Sequence, residues 1–277
     1  MIPRQFPGMV RVELLKVFTR GSGLGTLVVS ALVAAFVTLL TWKVSGWQDQ
    51  MQFNGQSIRG VFAFDVVTVG SWVLYARSLV VIPFLLLLAT AASVAGEHGD
   101  RTLRELVVRP VPRWSILAAK AVSLGVLSAC SVLVTFAVAV SMGWALLGPP
   151  SVDQSIATGA NSLTRLALGY GASFFSDLAL IAIGMALSVF VRSVGGVVVS
   201  IILLLIMDRV LWLILSAAGL LGIEIASELV QWTLVSAMGC WKGWEAEFLP
   251  GQFVIVGILT GAAFALSAVR FGRVDVP

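Results

Sequence analysis

Long apolar segments separated by short polar ones dominate the pattern along this chain. A helix needs roughly 20 apolar residues to cross about 30 Å of hydrocarbon. Six segments meet this requirement and predict six transmembrane helices: Leu24–Trp42, a segment that contains Leu79–Gly96, Ala121–Leu147, Leu166–Val191, Val194–Leu221 and Phe253–Val269. Arg77 and a semi-apolar run blur the start of the second span, and we expect Pro83 to kink it. The pattern therefore predicts an all-α integral membrane protein.

Composition supports this prediction. Hydrophobic residues make up 58% of the 277 residues and charged residues 12%, with a mean hydropathy of +1.00. A soluble domain carries about a quarter charged residues, so a soluble fold is excluded. The net charge of +4 is read as a topology signal and not as a sign of nucleic-acid binding. The two cysteines lack the paired Cys/His spacing of a zinc site, so no metal is expected.

The distribution of Lys and Arg predicts the orientation. Short basic loops stay in the cytoplasm, and most of the 18 basic residues fall on one side when the N-terminus is placed inside. Both termini are then cytoplasmic in a multi-pass protein of the cell (inner) membrane. The outer segment 222–250 carries Trp232, Trp241 and Trp244, which predicts a re-entrant or interfacial helical piece; a solvated loop is the alternative.

Residues 1–23 predict an amphipathic interfacial helix ahead of a six-span domain at 24–277. One face is polar and is expected to meet anionic headgroups, and the opposite face is apolar. The polar face holds Glu13, Lys16 and Arg20, and the apolar face holds Val10, Leu14, Val17 and Phe18. The glycine-rich stretch Gly21–Thr26 lacks the lysine of a phosphate-binding loop, so we interpret it as a flexible joint.

Segment 97–120, between the second and third spans, gathers much of the charge of the chain. Arg101–Val108 predicts a short helix that Asp100 can cap and Pro110 ends. Its apolar residues share one face, at Leu103, Leu106 and Val107. A merely basic cytoplasmic loop would explain the arginines but not this apolar stripe. The stripe therefore predicts that the helix docks on another protein.

The same segment resembles the signature of ABC-2 type permeases, approximately E-x(3)-GTL…LL-x(2)-PV-x-R…K. The matching residues are Glu97, Thr102, Leu103, Leu106, Arg109, Pro110, Val111, Arg113 and Lys120. The sequence departs at Arg101, where the family usually has glycine, so the turn before the helix is expected to differ. The resemblance implies that the segment is a coupling helix seated in a cleft of a separate ATPase subunit.

Several expectations follow from this resemblance. The residues that couple to the ATPase would be Glu97, Thr102, Leu103, Leu106, Val107, Arg109, Pro110 and Arg113. The chain has no G-x-x-x-x-G-K-[ST] motif, so it is not expected to be an enzyme. It needs no cofactor of its own, because ATP and Mg²⁺ would bind to the partner subunit. A second copy of the chain or a sister permease would complete the transport domain.

Three charged residues fall inside predicted spans: Asp177, Asp208 and Arg209. Such charges face protein or water, either as structural pairs or along a transport pathway. Asp177 and Arg209 are equally distant in sequence from Ser193, the predicted turn between the fourth and fifth spans. Equal depth on adjacent helices predicts a salt bridge between them, with Asp208 left to face water, Arg77 or a partner subunit.

The sequence thus favours the permease subunit of an ATP-driven ABC-2 type exporter. Two other functions stay open. An ion-coupled secondary carrier would use Asp177 and Asp208 as proton or cation sites. A non-transporting membrane scaffold or maturation factor would only anchor partners. Dependence on ATP separates the first two functions.

Overall fold

The computed structural model describes residues 6–19, 21–48, 52–53, 56–57, 65–79, 81–99, 112–149, 162–191, 193–221, 223–230, 233 and 250–273. Nearly all of them are helical. The helices are α1 Phe6–Thr19, α2 Gly21–Gln48, α3 Val66–Leu79, α4 Val81–Gly99, α5 Arg113–Leu147, α6 Ser162–Phe190, α7 Val194–Leu220, α8 Glu224–Val230 and α9 Pro250–Arg273. A small antiparallel hairpin, β1 Gln52–Phe53 and β2 Gln56–Ser57, follows α2.

The structure has five or six candidate spans, against the six that the sequence predicts. Among the described residues, α2, α5, α6, α7 and α9 are each long and apolar enough to cross a membrane. α3 and α4 pass the same test together as a pair bent by 43°, which brings the total to as many as six. Pro83 lies in the first turn of α4, directly after the break, where a helix needs no N–H donor; without an N–H, it cannot bond back to α3 and continue that helix. A bend is therefore present near Pro83, and it takes the form of a break between two helices.

Local chemistry sets two of the helix starts. Asp65 caps α3, because its Oδ1 accepts hydrogen bonds from the backbone N–H and the hydroxyl of Thr68, each at 2.9 Å. α5 begins at Arg113 after Pro112, and the Ser115 hydroxyl donates to the Pro112 carbonyl at 2.6 Å. α5 therefore begins before the predicted span start at Ala121, and its first turns belong to the segment predicted as a cytoplasmic connection.

α6 lies at the centre of the bundle, between α4, α5 and α9. One apolar cluster joins Val94 near the end of α4, Leu117 near the start of α5 and Val189 near the end of α6. Val17 of α1 and Phe271 of α9 pack in the same cluster. The first and last helices therefore meet the bundle at the end where α4 stops and α5 starts, which agrees with both termini lying on one side.

α7 is the least enclosed of these helices. Only Val197 and Ile201, in its first turns, are buried, and they pack against α4 and α6. Most of its remaining apolar side chains are exposed, including Leu203, Met207 and Leu213. Contact between so many apolar side chains and water is unfavourable, so lipid or another membrane subunit must cover this surface.

A glycine permits the tight passage from α1 to α2. A Cβ at Gly23 would lie 2.1 Å from the Val17 carbonyl oxygen, closer than any real side chain approaches backbone. Gly25 has open space at the corresponding position. The stretch Gly21–Thr26, interpreted from the sequence as a flexible joint, forms the first turns of α2. Close approach of the backbones is the physical reason for glycine at position 23.

Candidate functional site: two buried ionic clusters

Most of the predicted coupling residues lie outside the described residues. These are Thr102, Leu103, Leu106, Val107, Arg109 and Pro110. Glu97 belongs to the last turn of α4 and Arg113 opens α5, and the side chains of both also lie outside the described part. The structure thus describes the two helices that flank residues 100–111. The docking of that segment stays a prediction.

A buried ionic cluster joins α1 to both of these flanking helices. Lys120 Nζ lies 3.0 Å from Glu13 Oε2 and donates a second hydrogen bond to the Ser93 carbonyl oxygen at 2.9 Å. Glu13 Oε1 lies 3.0 Å from Lys16 Nζ. Glu13 and Lys120 are 5% and 3% exposed, whereas about a third of the Lys16 side chain is exposed. We call these residues the Lys120 cluster.

The position of Glu13 corrects the predicted faces of α1. Glu13 was expected on the polar face toward the headgroups, but it is buried against the bundle. It lies one turn before Val17, so the packed face of α1 includes both side chains. The buried Lys120 makes a carboxylate tolerable there, because each charge offsets the desolvation of the other. The exposed face instead carries Arg11, Val12 and Leu15.

A second cluster lies deep inside the bundle, on α3, α5 and α6. Arg77 Nη2 lies 2.5 Å from Asp177 Oδ2, and Arg77 Nη1 donates to Ser173 Oγ at 2.8 Å. The Ser128 hydroxyl donates to the same Asp177 Oδ2 at 2.7 Å. Arg77 is 1% exposed and Asp177 is 4% exposed. We call these four residues the Arg77 cluster.

The predicted salt bridge between Asp177 and Arg209 is wrong. Asp177 faces α3 and α5, where Arg77 and Ser128 occupy it. α7 packs on the bundle through Val197 and Ile201, and further along it Asp208 is half-buried and Arg209 exposed. Equal depth does not fix the rotation of a helix about its own axis, so it does not determine which side chains meet. Asp177 nevertheless faces protein and forms an ion pair, with Arg77 as its partner.

The Arg77 cluster holds three helices together and offers no obvious reactive group. Its ion pair is neutral overall, and Ser173 completes its own bonding by donating to the Tyr170 carbonyl at 2.8 Å. Arg77 Nε is buried without a hydrogen-bond partner. Because Asp177 is bonded by a guanidinium and a hydroxyl, it is a poor candidate for a proton or cation site of a carrier. No group of three or more potential metal ligands occurs among the described residues.

Tyr170 extends this tie between α3 and α6. Its hydroxyl donates to the Gly70 carbonyl at 3.1 Å, and its ring packs edge-on against Phe136 with centroids 5.1 Å apart. A Cβ at Gly70 would lie 2.4 Å from Leu166, so glycine lets the two helices approach at this level. The tie therefore continues along α3 from Arg77 toward its start.

Sequence reasoning missed the roles of Arg77, Glu13 and Lys120. Each carried a signal. Arg77 is a lone cation in an apolar stretch, which in a membrane calls for an acidic partner at similar depth. Glu13 is the lone acid among the basic residues of α1, and Lys120 sits well inside the apolar start of α5. None of these three signals identifies the partner residue, because each partner lies on another helix.

Comparison with known families places this bundle. Residues 9–207 match the family model described as ABC-2 family transporter protein, which covers more than half of the chain of 277 residues. The match runs from α1 through the first half of α7 and includes the members of both ionic clusters. The comparison with curated proteins gave no match.

Proposed function

The chain belongs to the ABC-2 family of transporter proteins, and we propose that it is the permease subunit of an ATP-driven exporter that works with a separate ATPase subunit. The observation that carries this proposal is the family match across the helical bundle, which includes both helices flanking residues 100–111. The resemblance of that segment to the ABC-2 signature supports the docking of an ATPase there.

The proposed location is the inner membrane of the cell. In the proposed orientation, residues 100–111 and both termini lie in the cytoplasm. The cluster that joins Val17, Leu117 and Phe271 supports one common side for these parts. The excess of Lys and Arg in the connecting segments at this end supports its assignment as the cytoplasmic side.

A second permease subunit, either another copy or a sister chain, is proposed to complete the transport domain. The exposed apolar surface of α7, a helix long enough to span the membrane, supports this.

In the proposed cycle, ATP binding closes two ATPase subunits beneath the permeases and moves the docking segments. The face formed by Leu103, Leu106 and Val107, together with Arg109 and Arg113, receives that motion. α4 and α5 transmit this motion to the bundle, because α4 ends directly before the docking segment and α5 begins directly after it. The bundle then opens its internal path alternately to each side of the membrane. ATP and Mg²⁺ stay on the ATPase subunit.

The test is purification of the protein from native membranes together with its ATPase. Leu106→Asp should release the ATPase, because a carboxylate in an apolar cleft is buried unpaired at a cost of about 3 kcal/mol or more. That corresponds to a loss of at least about a hundredfold in affinity. Val108→Asp is the matched control, since position 108 lies off the predicted apolar face.

The two variants separate the functions that the sequence left open. Release by Leu106→Asp with retention by Val108→Asp supports the permease. Equal retention in both variants removes the face from the interface. No ATPase bound to the unmodified protein would contradict the proposed function and leave the carrier and the scaffold as the remaining candidates.

A further inference from the structure

We propose that Lys120 and Glu13 are positioning residues for energy coupling: they fix α1 to the two helices that flank the docking segment, so that α1 moves with that segment when ATP binds. This inference rests on the proposed function. It adds a second role for α1, which the sequence predicted only as an interfacial helix at the membrane surface.

Lys120 lies where α1, α4 and α5 meet. Its ammonium group bonds to a side chain of α1 and to a backbone carbonyl of α4, while its own backbone belongs to α5. α4 leads into residues 100–111 and α5 leads out of them. One side chain thus connects α1 to both ends of the segment proposed to receive the motion of the ATPase.

α1 makes two kinds of contact with the bundle, apolar and ionic. Around the cluster, α1 packs through apolar side chains: Val17 and the partly buried Phe18 lie against a cluster that includes Leu117 and Phe271. Apolar burial is non-directional and allows one helix to slide on another. The buried ion pair and the carbonyl hydrogen bond are directional and charge-assisted, so they fix the register of α1 on α4 and α5.

Glu13 faces two cations with different surroundings. Lys16 lies one turn away on α1 itself and is partly exposed, so its bond to Glu13 links no other element. Lys120 is buried and comes from α5. A purely electrostatic role for Glu13 would involve both lysines, whereas the positioning role assigns the effect to Lys120.

The motion of α1 can be measured directly in the complex with its ATPase in lipid nanodiscs. Spin labels at Val12→Cys and Val122→Cys, on exposed positions of α1 and α5, report the distance between these helices. Cys130 and Cys240 are replaced by serine. Distances are recorded without nucleotide and after trapping with ATP, Mg²⁺ and vanadate.

With the native cluster, we expect the same distance in both states, because α1 and α5 move as one body. In Lys120→Met the distance should change on trapping, by up to one helical turn or about 5 Å. Lys120→Arg retains the charge and should behave like the native cluster. Lys16→Met should do so as well, since it leaves the pair between α1 and α5 intact. All four proteins should retain the ATPase.

Two results would overturn the inference: a distance in the native cluster that changes on trapping, or a Lys120→Met protein that behaves like it. If Lys120→Met does not fold, Glu13→Gln takes its place, because it leaves Lys120 bonded to the Ser93 carbonyl. Failure of the unmodified protein to bind an ATPase is a separate result, which overturns the proposed function and this inference with it.

Discussion

Arg77 and Asp177 form an ion pair between α3 and α6 inside the apolar bundle, with Nη2 and Oδ2 2.5 Å apart. Arg77 lies at the end of α3, just before the break at which the second span bends by 43°. The pair therefore anchors the bent span to the most enclosed helix of the bundle. Because the pair lies at the break, it fixes the position of the bent span and also neutralises two buried charges.

Breaking this pair should destabilise the protein strongly. Asp177→Asn leaves a buried guanidinium and Arg77→Met leaves a buried carboxylate, and we expect each change to cost about 3–5 kcal/mol. The double variant Arg77→Met/Asp177→Asn removes both charges and should recover a large part of this loss. The measurement is the yield of monodisperse protein and its melting temperature in detergent.

The double variant Arg209→Met/Asp177→Asn is the control for partner choice. Because Arg209 is exposed on α7 and Asp177 pairs with Arg77, this variant should show no recovery relative to Asp177→Asn. Recovery in this variant, together with none in the double variant with Arg77→Met, would contradict the assignment of the pair.

The hydroxyl of Ser128 should contribute to the same cluster. Ser128→Ala removes one of the two donors to Asp177 Oδ2, and a hydrogen bond to a charged group is worth about 1.5–3 kcal/mol. Ser123→Ala is the matched control, since Ser123 is equally buried on α5 but donates to the Lys120 carbonyl of its own helix. Thermal unfolding should show a clear loss for Ser128→Ala and a small one for Ser123→Ala.

The helices of this fold can be predicted from the sequence more accurately than the contacts between them. Apolar length determines where α6 and α7 lie, and both match the predicted spans to within a few residues. Trp114–Lys120 were expected to lead into the third span, and they are already helical, so α5 continues beyond the apolar core that marked the span. Apolar length alone does not mark such an extension.

The ionic clusters could not be predicted because side-chain partners depend on helix rotation and on which helices are neighbours. Depth gave Asp177 and Arg209 as a pair, yet α3 lies beside α6 at that depth and presents Arg77 to it. The amphipathic pattern of α1 placed Glu13 on the headgroup side, yet a cation from α5 draws it inward. A single sequence contains the charges but not the arrangement that joins them.

The orientation of the chain can be tested with its own thiols. Cys240 belongs to the predicted outer segment and His98 to the end of α4 that is proposed to face the cytoplasm, so an impermeant maleimide should label Cys240 on intact cells. A cysteine introduced by His98→Cys should react only after the membrane is opened. Cys130 lies within α5 and is replaced by serine in both proteins so that it adds no signal. Labelling of position 98 without Cys240 on intact cells would reverse the orientation.

The passage between α1 and α2 should tolerate no side chain at Gly23. Gly23→Ala places a methyl group 2.1 Å from the Val17 carbonyl oxygen, so α1 must shift away from α2. Val17 and Glu13 share the packed face of α1, so this shift should also loosen the ion pair between Glu13 and Lys120. We expect a loss of about 1–3 kcal/mol in stability, typical of overpacking. Gly25→Ala adds the same methyl group in open space and should be neutral or slightly stabilising, because alanine favours the helix. Melting temperatures of the two variants measure the difference, and equal values would show that α1 does not approach α2 as closely as the structure places it.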